Sequence, residues 1–309
     1  MARAAKKPLD LRPQSLRFAA YQDTAFHSGH RQQRLSWSRQ KRKSTTLAAK
    51  SLEWMMAVPG DLVTFISASV VLGTEIVVKE SKIWAEMLDS LKQSASDNKL
   101  KLTSNADGLD FDAVCDLFEK SRLETKLWHS NTVCSRSRVI APNPDTAVGW
   151  TGHIVADEVG RMPEYQAVRE AIGPFIDSNP RFCSWEATTP PPDDKHYSME
   201  LLAPPPGVEF PVNPKGNWYE AADGVPVHRV DAWDAHAAGV VLHHPKTGKP
   251  IMPDEHRELA FDKSAWDRNY GLEFLTGGTA AVSLASIARA MEQGKGQCLA
   301  INVTEEVVL

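Results

Sequence analysis

Trp37-Ser38-Arg39-Gln40-Lys41-Arg42-Lys43-Ser44-Thr45 follows a strand-like run and opens a helix. Its reading decides the fold. A phosphate-binding loop needs backbone N–H groups gathered at a helix N-terminus, a lysine for the terminal phosphates and a serine or threonine hydroxyl for Mg2+. Lys43 followed by Ser44 supplies the last two. The general pattern GxxxxGK[ST] is not met, because Trp37 and Arg42 occupy the glycine positions. On this segment alone, a basic turn ahead of a helix is the favoured reading.

Working outward, Leu47, Ala48, Leu52, Met55 and Met56 recur near helical spacing from about Ser44 to Val58, and Pro59-Gly60 stops that helix. Leu62 to Ile66 is a short apolar run that reads as a buried strand. Glu75 to Lys92 predicts an amphipathic helix, and residues 94–110 a loop. Val139-Ile140 and Ile154-Val155-Ala156 read as strands, 164–176 as a helix, and 181–189 as a strand ending at three prolines. Strands alternating with helices imply a mostly parallel sheet with helices on both faces. Ligands of such sheets sit at the carboxyl ends of the strands, which is where the stretches after 34–37, after 154–156 and at 187–189 fall. Residues 190–217 are proline-rich and predict an irregular surface connection. From Val225 the composition changes, with five histidines and little periodicity until a helix at about 279–293. This predicts an α/β core over 18–224 and a smaller lid or connector subdomain over 225–309. Residues 1–17 read as a flexible basic tail.

Composition narrows the function classes. No stretch reaches about 18 uninterrupted apolar residues, and no apolar run follows the N-terminal charges, which argues against a membrane span or a secretory signal. Four cysteines without a CxxC pair fit a reduced, cytoplasmic protein without a cysteine zinc site. The net charge of −4 divides unevenly: residues 1–43 carry eleven Lys/Arg against two Asp, giving +9, so the remainder sums to −13. A basic front on an acidic body suggests a polyanion or phosphate-rich ligand. Asp157-Glu158 closes an apolar strand downstream of Lys43. In phosphate-loop ATPases a strand-end acid serves Mg2+, and an adjacent glutamate can orient and deprotonate water.

Taken in order, these segments resemble the ATPase portion of the large terminase subunit of tailed phages, the motor that packages DNA into the capsid. That family writes its loop Ser-Arg-Gln-x-Gly-Lys-[Ser/Thr]-[Ser/Thr], and Ser38 to Thr45 matches it except at Arg42. Gly60 to Ser69, Ala141 to Ala147 with Gly149, His153 to Glu158, and Thr188-Thr189-Pro190 are similar to its later motifs, and Tyr21-Gln22 resembles its upstream glutamine motif. The resemblance spans roughly 18–275. It implies a RecA-like phosphate-loop fold acting on ATP and Mg2+. Ser38, Gln40, Lys41, Arg42, Lys43, Ser44 and Thr45 would form the nucleotide loop, with Ser44 and Asp157 serving Mg2+. Glu158 would be the catalytic base, and Arg39 would stabilise charge developing on the γ-phosphate. Gln22 would read adenine, and Thr188 and Thr189 would sense nucleotide state. Implied partners are double-stranded DNA, a small terminase subunit, a capsid portal protein and further copies of the chain, in the host cytoplasm.

Two departures bear on activity. Arg42 stands where the loop has glycine, and a side chain at positive φ costs about 1–2 kcal/mol. The family's nuclease domain is expected to be absent or truncated, with Ala300 to Val303 as its first strand cut short. The alternative to a DNA-translocating ATPase is therefore a catalytically impaired assembly or DNA-binding module on the same fold. His243, His244 and His256 are expected in solvated or packing roles, and the cysteines in the core.

Overall fold

The computed structural model describes residues 17–97, 117–147 and 149–274. The basic tail, most of the 94–110 loop, the 279–293 helix and the 300–303 strand lie outside the described residues, apart from Arg17 at the end of the tail.

Helix α1 (Ala20–Phe26) precedes strand β1 (Gln32–Trp37), helix α2 (Lys43–Ala57), strand β2 (Leu62–Ser67) and the long helix α3 (Val70–Asp97). Next come β3 (Phe118–Lys120), β4 (Glu124–Trp128), β5 (Cys134–Ile140) and β6 (His153–Asp157), then α4 (Tyr165–Ile172) and β7 (Ser184–Thr188). Helix α5 (Ser198–Leu202) interrupts the proline-rich connection before β8 (Asn217–Glu220) and β9 (Pro226–Val230). The remainder is helical pieces α6 (Ala232–Ala237), α7 (Pro253–Glu258) and α8 (Lys263–Trp266), with a two-stranded ribbon of β10 (Leu242–His243) and β11 (Pro250–Ile251) and a π-turn over Asp267–Gly271.

One sheet of nine strands runs β3-β4-β5-β2-β6-β7-β1-β9-β8. The six strands from β5 to β9 pair in parallel, while β3, β4 and β8 attach antiparallel. Alternation along the strands feeds two cores. Leu35, Phe65, Val155 and Trp185 pack with Leu47, Leu52 and Met55 of α2. Ile66, Ile154 and Ala156 pack on the opposite face with Val168 and Ile172 of α4 and with Phe175.

Departures from the expected elements have local causes. Helix α3 starts at Val70, not near Glu75, because the Ser69 hydroxyl accepts the Leu72 N–H at 3.2 Å and satisfies a free donor of the first turn. Helix α4 gives way at Gly173 to a 3-10 turn ending at Ile176, since Pro174 lacks the N–H that would continue it. The sheet runs past the division expected at residues 224 and 225. Strand β9 pairs with β1, Leu35 opposite His228 and Trp37 opposite Val230, so the change of composition precedes the change of architecture by one strand. Part of the basic front is also buried. Arg34 lies in the core between Glu186 at 2.7 Å and Asp223 at 2.6 Å, and Lys41 and Lys43 are also buried. Cys134 and Cys183 are half-buried, and Cys183 packs against the larger core.

Candidate active site

The loop of residues 38–42 hangs from the carboxyl end of β1 and enters α2 at Lys43. Gln40 (φ 58°) and Arg42 (φ 60°) are both left-handed, each a conformation that glycine adopts without cost. Arg42 is exposed. Replacing Arg42 with glycine should relieve about 1–2 kcal/mol of strain, of which roughly 0.5–1 kcal/mol is returned to the unfolded chain as entropy. The expected result is a small rise in melting temperature, read by thermal unfolding.

Lys43 is 6% exposed, and its ammonium donates to the carbonyls of Trp37 at 2.8 Å and Ser38 at 3.3 Å. Burial pulls its pKa below the ordinary lysine value, and the nearby Glu158 and Asp157 oppose that pull. The next residue reaches across the sheet: Ser44 Oγ donates to Asp157 Oδ2 at 2.8 Å. Strand β7 separates β1 from β6, yet the loop helix and the strand-end acid meet above it. Asp157 Oδ1 accepts the Glu158 N–H at 3.0 Å. Burial, helped by the Glu158 charge, holds the Asp157 carboxyl above its usual pKa. Glu158 itself is left-handed (φ 57°), and its carboxylate lies 4.0 Å from Arg161 Nε.

Thr188 closes β7 between these two strands. Its hydroxyl accepts the Gly160 N–H at 3.0 Å and donates to the Thr189 carbonyl at 2.8 Å. Both threonines are buried. A Cβ at Gly160 would stand 2.8 Å from that hydroxyl, so glycine is what lets the turn after β6 lie against the end of β7. Thr45 is half-buried in the first turn of α2.

Several loop groups are committed elsewhere. Ser38 N donates to the Val230 carbonyl at 2.8 Å, Arg39 N to Asn269 O at 2.9 Å, and Lys41 Nζ to Val240 O at 3.1 Å. Lys41's side chain is thus turned into the protein, where burial and the Arg42 charge pull its pKa down to about 8. Arg39 has an exposed side chain. Gln22 is 1% exposed; its amide oxygen accepts Ala19 N at 3.0 Å, and its amide nitrogen donates to Thr46 Oγ1 at 2.9 Å. The resemblance implies an amide facing an adenine; the structure buries the Gln22 amide against Ala19 and Thr46.

Sequence reasoning missed Arg161, which faces Glu158, and the carbonyls of Val230, Val240 and Asn269, which tether the loop. A backbone acceptor has no residue-type signal, and Arg161 sits in no motif. His244 Nδ1 accepts Lys246 N at 3.1 Å, and His256 Nδ1 accepts Trp266 Nε1 at 2.7 Å, both packing or turn roles.

No protein-family model matches the sequence, and no curated protein matches it. Solved structures do. The large terminase ATPase domain of Thermus phage P74-26 superposes with a TM-score of 0.54 at 16% identity, covering 85% of this chain and 99% of that one. The fold is that of the phage large-terminase ATPase domain. A large terminase from a thermophilic bacteriophage, solved with ADP, gives a TM-score of 0.52 at 10% identity; the match covers 84% of this chain and 54% of that one. In this RecA-like terminase fold, the ends of β1, β6 and β7 carry Ser38–Thr45, Asp157-Glu158 and Thr188-Thr189 side by side. Among the described residues, no helix is long and apolar enough to cross a membrane.

Proposed function

We propose that this chain is a terminase-type motor ATPase, which hydrolyses ATP with Mg2+ and couples the reaction to driving double-stranded phage DNA into a capsid. The observation that carries the proposal is the 2.8 Å hydrogen bond from Ser44 to Asp157. It brings the hydroxyl at the start of the loop helix to the acid at the end of β6, with the Lys43 ammonium buried beside both.

These residues fit a Mg2+–triphosphate. Lys43 offers a cation whose hydrogen bonds go to carbonyls of its own loop, and Ser44 with Asp157 offers a hydroxyl and carboxylate pair of the hard-oxygen kind that Mg2+ prefers. The metal, when bound, offsets negative charge on the terminal phosphates. Lys43 holds the phosphates, and the N–H groups at the start of α2 face them. Glu158 orients water and takes its proton, and the exposed Arg39 reaches the γ-phosphate as charge develops there. Thr188 and Thr189, lying between the two strands, carry the change of nucleotide state towards a DNA-contacting part. The ADP seen with the thermophilic phage terminase supports nucleotide binding at this fold. The proposed setting is the host cytoplasm, with a small terminase subunit, a portal protein and further copies of the chain as partners.

Asp157 supplies a pH test. Its carboxyl is raised by burial and by Glu158, so protons compete with the metal above the ordinary aspartate range. Mg2+ affinity, measured by calorimetry with ADP, should increase with pH through that raised range and release a proton on binding. A pH-independent affinity counts against Asp157 as ligand.

The functional test is ATP turnover with and without linear double-stranded DNA. DNA should stimulate hydrolysis regardless of sequence, and DNA affinity should fall steeply with salt, as phosphate contacts demand. Absence of turnover in both the parent and the Arg42→Gly protein would hand the fold to the rival reading, an assembly or DNA-binding module, which draws on the two left-handed non-glycine residues of the loop.

A further inference from the structure

We infer that Tyr21 and Gln22 are positioning residues that brace the strained phosphate loop, and that Gln22 does not read the nucleobase. The inference rests on the nucleotide-site reading above and deepens it.

Both residues lie on α1 and are buried, and both reach the loop where its backbone is left-handed. The Tyr21 hydroxyl donates to the Lys41 carbonyl at 3.3 Å. The Gln22 amide nitrogen donates to Thr46 Oγ1 at 2.9 Å, and that hydroxyl donates onward to the Arg42 carbonyl at 3.1 Å. The other end of the amide is held by Ala19 N at 3.0 Å. A fixed chain therefore runs from the start of α1, through Gln22 and Thr46, to the residue that stands where the loop pattern has glycine. The Tyr21 ring is anchored edge-on against Trp37 with centroids 5.0 Å apart, so the brace is tied to the strand that carries the loop.

The physical logic is compensation. Glycine takes φ near +60° without cost, whereas arginine does so only where its surroundings impose it. Lys41 and Arg42 each have their carbonyl fixed by α1, one directly and one through Thr46. The Gln22 side chain is 1% exposed, and its amide is turned onto Ala19 N and Thr46 and away from the surface where a base would lie. The brace should thus matter with Arg42 and become largely redundant with glycine.

The test is a mutant cycle on the full chain: parent, Gln22→Ala, Arg42→Gly and the double variant, with Thr46→Val as a shape-conserving cut of the same relay. Binding of fluorescent ATP and GTP analogues and the melting temperature are measured for each. Gln22→Ala should weaken ATP and GTP in equal proportion, by about tenfold, and in the Arg42→Gly background by less than about threefold. Thr46→Val should behave like Gln22→Ala. The melting temperature should show the same rescue without any nucleotide. A change in the ATP-to-GTP ratio on Gln22→Ala, or an equal loss of melting temperature in both backgrounds, overturns the inference. Failure of every protein to bind nucleotide strikes the nucleotide-site reading, while the melting-temperature cycle still decides the brace.

Discussion

Glu158→Gln is expected to leave ATP binding near that of the parent and to lower turnover by about 10²–10⁴-fold, the usual worth of a positioned general base. The amide keeps the size and the hydrogen-bonding reach of the carboxylate, but it cannot accept the proton of the attacking water. Lys43→Ala is the matched control, because it removes the buried ammonium at the start of α2 and should weaken nucleotide binding itself. Calorimetry with ADP and a phosphate-release assay separate the two effects. If both variants bind and turn over ATP like the parent, the chemistry happens elsewhere.

The second large effect is on stability and concerns Glu80. This side chain of α3 is fully buried, its carboxylate accepts the Thr125 hydroxyl at 2.7 Å, and the Ser51 and Ser137 hydroxyls face it from α2 and β5. Burial outweighs these hydroxyls and raises its pKa from 4.5 to about 7. In the folded state the neutral acid is therefore favoured, while the unfolded chain ionises near 4.5. Stability should be full below that value, fall as pH rises from there to about 7, and stay level above. A shift from 4.5 to about 7 corresponds to about 3 kcal/mol. Glu80→Gln should therefore melt well above the parent at pH 8 and close to it at pH 4. An equal difference at both pH values would mean that folding does not shift the titration of this acid.

How far the sequence announces this molecule depends on where the signal is local. Strands β2 and β6 are built on short apolar runs bounded by turn residues, and they form where such runs predict, while β7 forms inside the stretch read as a strand ahead of three prolines. Strand β9 was not legible, because His228 and Arg229 make it read as polar. His228 is nonetheless buried, accepting the Trp37 indole N–H at 3.1 Å and stacked on Trp218. Strand β4 alternates Glu124, Lys126 and Trp128 on its more open face with buried Thr125 and Leu127, too brief a pattern to stand out. In the site, Lys43-Ser44 and Asp157-Glu158 could be named from their order along the chain. That they meet, and that Gln22 faces Thr46, depends on pairings across the sheet and between helices that no local pattern encodes.

The pairing of β1 with β9 has a practical meaning for anyone dividing this chain. A fragment that stops at residue 224, where the composition changes, would strip the neighbour from Arg34 to Trp37 and leave that backbone ladder bare. Unpaired strands of this kind recruit other chains, so the shortened protein should aggregate. It would also lose the Val230 carbonyl that holds Ser38. A fragment carried through residue 274 keeps the strand, the carbonyls of Val240 and Asn269, and with them the fixed mouth of the loop.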